Sequence, residues 1–91
     1  MIVRRLIITG RVQRVFYRDW TIATAQVLGL QGWVRNRRDG SVEALLAGEE
    51  EQVARMIEAC REGPPAAEVT NIDVSEAELE PLSGFVRRPT S

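Results

Sequence analysis

The sequence contains no histidine, and because all 12 of its basic residues are arginine it contains no lysine either. These absences exclude histidine-based catalytic triads, histidine zinc sites, the phosphate-gripping lysine of P-loops and every Schiff-base mechanism. Chemistry that rests on those groups is not expected. The single cysteine, Cys60, cannot close an internal disulfide, which fits a reducing compartment. It also falls at a core position of a helical pattern, which disfavours thiolate catalysis. No apolar run approaches the ~20 residues that a bilayer span needs. The short start Leu6-Ile7-Ile8 is too brief for the apolar region of a signal peptide, so the expected location is cytoplasmic, with no membrane partner. An enzyme built from this set has to work by positioning and electrostatics.

What remains is ordinary in amount and uneven in placement. With 91 residues, 44% hydrophobic and 27% charged, the chain has material for one modest core and not for two, so residues 1–91 are read as a single domain. Net charge is −1, but residues 1–40 carry +6 and residues 41–91 carry −7. The first half is therefore the expected side for an anionic ligand, although attraction between the halves across one sheet would give the same asymmetry.

Periodicity yields the order β-α-β-β-α-β. Ile2 to Thr9 is aliphatic and β-branched and ends at Gly10, as a strand should. From about Arg18 to Leu28 there are no breakers; Tyr17, Thr21, Ala25 and Leu28 form one helical stripe, and Trp20, Ala23 and Val27 form a rival. Trp33–Arg37 and Ser41–Ala47 read as strands joined by a hairpin at Asp39-Gly40. Glu49, Glu50 and Glu51 then lead into a helix whose Val53, Met56, Ile57 and Cys60 share a face. Arg61 lies in its last turn, and Gly63-Pro64-Pro65 stops it. Val69–Glu76 is another strand, and Gly84–Arg88 a short edge segment, with Arg87-Arg88 read as a solvated tail end. Two helices crossing between strands of an antiparallel sheet, both on one face, give a ferredoxin-like α+β sandwich. That fold serves many functions.

Chemistry is concentrated in two stretches. In Gly10-Arg11-Val12-Gln13-Arg14-Val15-Phe16-Tyr17-Arg18, the backbone N–H groups of Gln13 to Arg18 can converge on an oxyanion at the start of a helix, with Arg18 as a bidentate fork. A solvated basic turn fits the same residues, and spacing alone leaves both open. In the second stretch, Gly32 to Gly40, Asn36 stands out because asparagine is disfavoured in strands; its amide could hold a water or a substrate oxygen. Taken alone, a residue near a hairpin turn is the simpler reading of it.

The first stretch resembles the first signature of the acylphosphatase family, Gly-x-Val-Gln-Gly-Val-x-x-Arg, and the run from Leu28 to Gly48 is similar to the second. The resemblance spans the first strand through Phe85. It implies a metal-free hydrolase that splits acyl phosphates into carboxylate and inorganic phosphate. Arg18 and the loop residues Gln13, Arg14, Val15, Phe16 and Tyr17 would hold the phosphate, and Asn36 would orient the attacking water. Arg14 stands where the family pattern has glycine. Since a non-glycine residue in the left-handed region costs roughly 1–2 kcal/mol, a strained or remodelled loop is expected there. On that expectation Arg14→Gly would raise kcat/KM about tenfold. A phosphate- or carbamoyl phosphate-binding module of the same fold is the alternative. RNA binding ranks last, because Trp33 is the only strand aromatic in the basic half.

Overall fold

The computed structural model describes residues 1–91. Its elements are β1 (Ile2–Arg11), α1 (Tyr17–Val27), β2 (Gln31–Asn36), β3 (Val42–Gly48), α2 (Glu50–Glu62), β4 (Glu68–Glu76) and β5 (Phe85–Arg87). The sheet order is β4-β1-β3-β2-β5. The first four of these strands are antiparallel neighbours, as the ferredoxin-like α+β arrangement requires. The short edge segment adds a feature that the pattern did not contain: β5 lies parallel to β2, with Gly32 opposite Phe85 and Val34 opposite Arg87. No helix is long and apolar enough to cross a membrane.

Alternation along the strands assigns their faces. Leu6 and Ile8 of β1, Val34 of β2, and Val42, Ala44 and Leu46 of β3 are buried together under the helices, where Tyr17, Ala25, Val53, Met56 and Cys60 meet them. The two stripes of α1 are resolved by this packing. Tyr17, Thr21 and Ala25 are buried, whereas Val27 of the rival stripe is 86% exposed and Trp20 packs only partly against the core. The opposite face of the sheet carries a smaller cluster of Val3, Trp33, Leu45 and Ala47, against which Ala77 and Leu82 pack after β4.

On that second face Glu43 is buried between two arginines. Its carboxylate accepts hydrogen bonds from Arg5 and, at 2.7 Å, from Arg35. Burial pushes its carboxyl up, but the bonds and charges of Arg35 and Arg5 outweigh that and hold it below the usual range. Arg35 and Arg88 lie over the Trp33 ring, 4.8 and 4.7 Å from its centroid.

β1 reaches the first stretch through an irregularity. The register with β4 shifts between Thr9 and Gly10. At Gly10, φ is 120° and a Cβ would lie 2.1 Å from the Glu68 carbonyl oxygen, so only glycine lets the strands approach there. Gly10→Ala is expected to lower stability in urea unfolding by about 3 kcal/mol, the upper range for forced overpacking. A loss below ~1 kcal/mol would mean that β4 yields without cost.

Candidate active site

Residues 12 to 16 connect β1 to α1, and their side chains alternate in direction. Val12 and Val15 point into the core. Arg14 and Phe16 point outward, and both have positive φ, 63° and 64°. Non-glycine residues seldom adopt this conformation, and two of them separated by one residue curl the backbone into a concave turn. None of the N–H groups from Val12 to Phe16 donates to a backbone acceptor. Helix α1 extends the same surface. Its first bond runs from Trp20 N to Phe16 O at 3.0 Å, and no side chain caps its start, so the N–H groups of Tyr17, Arg18 and Asp19 are free as well.

Gln13 braces this turn from behind. Its Nε2 donates to the carbonyls of Arg37, at 2.7 Å, and Ser41, at 2.8 Å, so the side chain pins the loop to the β2–β3 hairpin. That contact brings the end of β2 beside the start of α1. Asp39 Oδ1 tightens the hairpin by accepting from the Ser41 N–H and hydroxyl, and these bonds hold its carboxyl below the usual range.

A cavity of about 280 Å³ opens between the two segments. Arg14, Phe16, Tyr17 and Arg18 line it from the loop and helix, and Asn36 from the sheet. Asn36 alternates with Val34 and therefore faces the helix side; its register partner is Val42. Its Oδ1 is buried and has no hydrogen-bond partner within the protein. Of the residues singled out from the sequence, these five meet at one cavity. Gln13 and Val15 stand behind it, one as a brace and one as core. The Tyr17 side chain is likewise structural: its hydroxyl donates to the Cys60 carbonyl at 2.6 Å. Burial pushes the phenol far above its ordinary value and the Cys60 thiol up to about 12, so neither ionises near neutral pH.

Besides Val12, two further lining residues fall outside the site read from the sequence. Asp19 follows Arg18 in the first turn of α1, and Arg87 comes from β5; they form an ion pair at the cavity. Arg87-Arg88 reads from sequence as the solvated end of a tail. Arg87 instead reaches α1, and Arg88 stacks on Trp33 and bonds Glu80 at 2.8 Å. Phe85 was the usable signal, since a buried aromatic near the terminus anchors the residues after it.

The acylphosphatase family profile matches residues 4–87. The chain belongs to the acylphosphatase family. An acylphosphatase of Acidiphilium cryptum is 51% identical over 90 residues, covering 99% of both chains. The crystal structure of an acylphosphatase from Bacillus subtilis superposes with a TM-score of 0.93 at 39% identity, covering 97% of this chain and 99% of that one. Full-length HypF, solved in a phosphate- and nucleotide-bound form, contains a similar unit: TM-score 0.89, 27% identity, 98% of this chain but 12% of that one. The enzyme class of the family, a hydrolase acting on acid anhydrides, is that of this chain.

The glycine of the family's first signature is replaced here by Arg14, and the backbone conformation that glycine would favour is present all the same, at φ 63°. The loop is strained but not remodelled. Strain that is equal in the free and the substrate-bound enzyme cancels in kcat/KM, and in that case only the charge of Arg14 acts on the rate.

Proposed function

We propose that the chain hydrolyses acyl phosphates without a metal, holding the phosphate on the 12–18 loop and placing water with Asn36. What carries this reading is the meeting, at one cavity, of Arg18, Asn36 and a row of N–H groups with no acceptor of their own. The N–H groups and the Arg18 guanidinium take the non-bridging phosphate oxygens. The Asn36 amide holds a water against the phosphorus, and its unpartnered Oδ1 suits that role. Water oxygen bonds to phosphorus, the phosphorus–oxygen bond to the acyl group breaks, and the carboxylate leaves with the electron pair. The proton from water passes to a phosphate oxygen. A carboxylate needs no general acid to depart, so positioning and charge stabilisation suffice. That accords with a chain without histidine or lysine.

The test is hydrolysis of benzoyl phosphate by purified protein, with and without EDTA. Turnover unaffected by chelation, with inorganic phosphate as a competitive inhibitor, is the expected result; strict loss on chelation would overturn the mechanism. Phosphate binding without turnover would instead indicate a binding domain, the reading that the likeness to phosphate-bound HypF suits. RNA is a poorer ligand, because Trp33 is buried between two guanidiniums and offers no free face for a base. A cytoplasmic location agrees with the lone, buried thiol of Cys60.

Arg14→Gly tests the replaced glycine directly. Arg14 is exposed and has no carboxylate partner, so its charge acts on the substrate through solvent. Its removal is expected to lower kcat/KM about threefold at low ionic strength, the scale of an exposed charge interaction, with the effect fading as salt rises. A tenfold gain would show that backbone strain is imposed only when substrate binds.

A further inference from the structure

The phosphate end of the substrate faces the loop backbone, so the acyl end has to project toward the rim of the cavity. Phe16 stands there. It lines the cavity and is nevertheless 80% exposed. Its backbone is left-handed, with φ 64° and ψ 23°, a conformation that costs a side-chain-bearing residue roughly 1–2 kcal/mol. Glycine would serve the loop better, and the ring belongs to neither core cluster. Its neighbours Tyr17 and Trp20 pair with each other, 5.4 Å apart, and both guanidinium–ring contacts of the fold are made to Trp33. A strained, solvent-facing aromatic with no partner in its own fold, placed at a ligand cavity, indicates a ring kept for the ligand. Elsewhere in the lining, Asp19 neutralises Arg87, so that wall presents a satisfied ion pair and an aliphatic stem rather than a bare cation.

We propose that Phe16 is the platform of an acyl-group subsite that favours uncharged aryl or branched acyl chains over small or carboxylate-bearing ones. The inference rests on the hydrolytic reading above and names the substrate class within it. The phenyl face takes the acyl chain as it emerges from the cradle. A second carboxylate on the substrate would have to displace Asp19 from Arg87 to be held.

The experiment compares benzoyl phosphate with acetyl phosphate in the parent protein, Phe16→Ala and Phe16→Trp. The quantity read is the ratio of the two kcat/KM values, from which any disturbance of the loop common to both substrates cancels. Phe16→Ala is expected to lower the benzoyl-over-acetyl ratio about fivefold, mainly through KM, the scale of one lost aromatic contact. Phe16→Trp should keep it. An unchanged ratio in Phe16→Ala overturns the subsite. So does a parent preference for succinyl phosphate over benzoyl phosphate that disappears in Arg87→Met, which would make the subsite anionic. Calorimetric binding of benzoylphosphonate and acetylphosphonate, which cannot be hydrolysed, reads the same ratio without turnover. If the parent binds the aryl analogue better and the preference drops in Phe16→Ala while no acyl phosphate is hydrolysed, the subsite stands and the hydrolytic reading fails.

Discussion

Arg18→Ala is expected to lower kcat/KM for benzoyl phosphate by roughly 10² to 10³, with kcat falling and KM rising together, while thermal stability stays near that of the parent. Both halves of this expectation come from the position of the side chain. The other lining arginine on the sheet side, Arg87, is neutralised by Asp19. Arg18 has no such partner: the ion pairs of the fold involve Arg5, Arg35, Arg55, Arg61, Arg87 and Arg88. It is half-buried in the first turn of a helix whose leading N–H groups are uncapped, so its fork and those donors are placed to take one ligand, as proposed. On the proposed reading, removing it deletes charge-assisted bonds to a dianion in both the bound and the transition state, and no bond that the fold uses. Arg18→Lys should recover only part of the loss, since an ammonium restores the charge without the planar fork. Initial-rate kinetics with a parallel melting curve decide the matter; near-parent kinetics would remove Arg18 from the site, and a large fall in melting temperature would give it a structural role instead.

Much of the arrangement that brings Arg18 to its cavity is legible in the chain, and the unreadable part has a common physical cause. Hydrophobic period and breakers are local signals, so β1, α2 and the β2–β3 hairpin stand out. The face of α1 was ambiguous because both stripes are apolar, and the choice is made by a distant contact, the Tyr17 hydroxyl on the Cys60 carbonyl. β5 is three residues long and too short for any periodicity to show; its parallel pairing with β2 depends on the path of the chain after β4. Arg87 becomes a lining residue only through that pairing. Gln13 belongs to the same class: its sequence context places it in the loop, but its use as a brace depends on the carbonyls of Arg37 and Ser41 being turned toward it. Arg14 is different. Its left-handed backbone could be inferred from the glycine of the family pattern, whereas its effect on rate could not. That effect depends on whether the strain is the same with and without substrate, which no local pattern in the sequence encodes.

Asn36→Ala is expected to lower kcat about 10²-fold with KM and the inhibition constant of phosphate within about twofold of the parent, so that it differs from Arg18→Ala in leaving affinity intact. The proposed role is to hold water, not phosphate, so ground-state affinity does not depend on the amide. The fold does not depend on it either. The backbone of Asn36 pairs with Val42, and its carbonyl accepts from the Ser91 N–H at 3.0 Å; alanine keeps both bonds. Its Oδ1 has no hydrogen-bond partner within the protein, so alanine removes no bond of the fold there. Asparagine is also a poor strand residue. The substitution should therefore leave the melting temperature unchanged or raise it by a few degrees, as expected where a residue is held for chemistry at the expense of stability. Steady-state kinetics, phosphate inhibition and a thermal melt on one preparation separate the possibilities. A raised KM with kcat intact would make Asn36 a phosphate ligand. A fall in melting temperature of more than ~5 °C would show that its amide supports the fold, and the lost turnover would then say nothing about water.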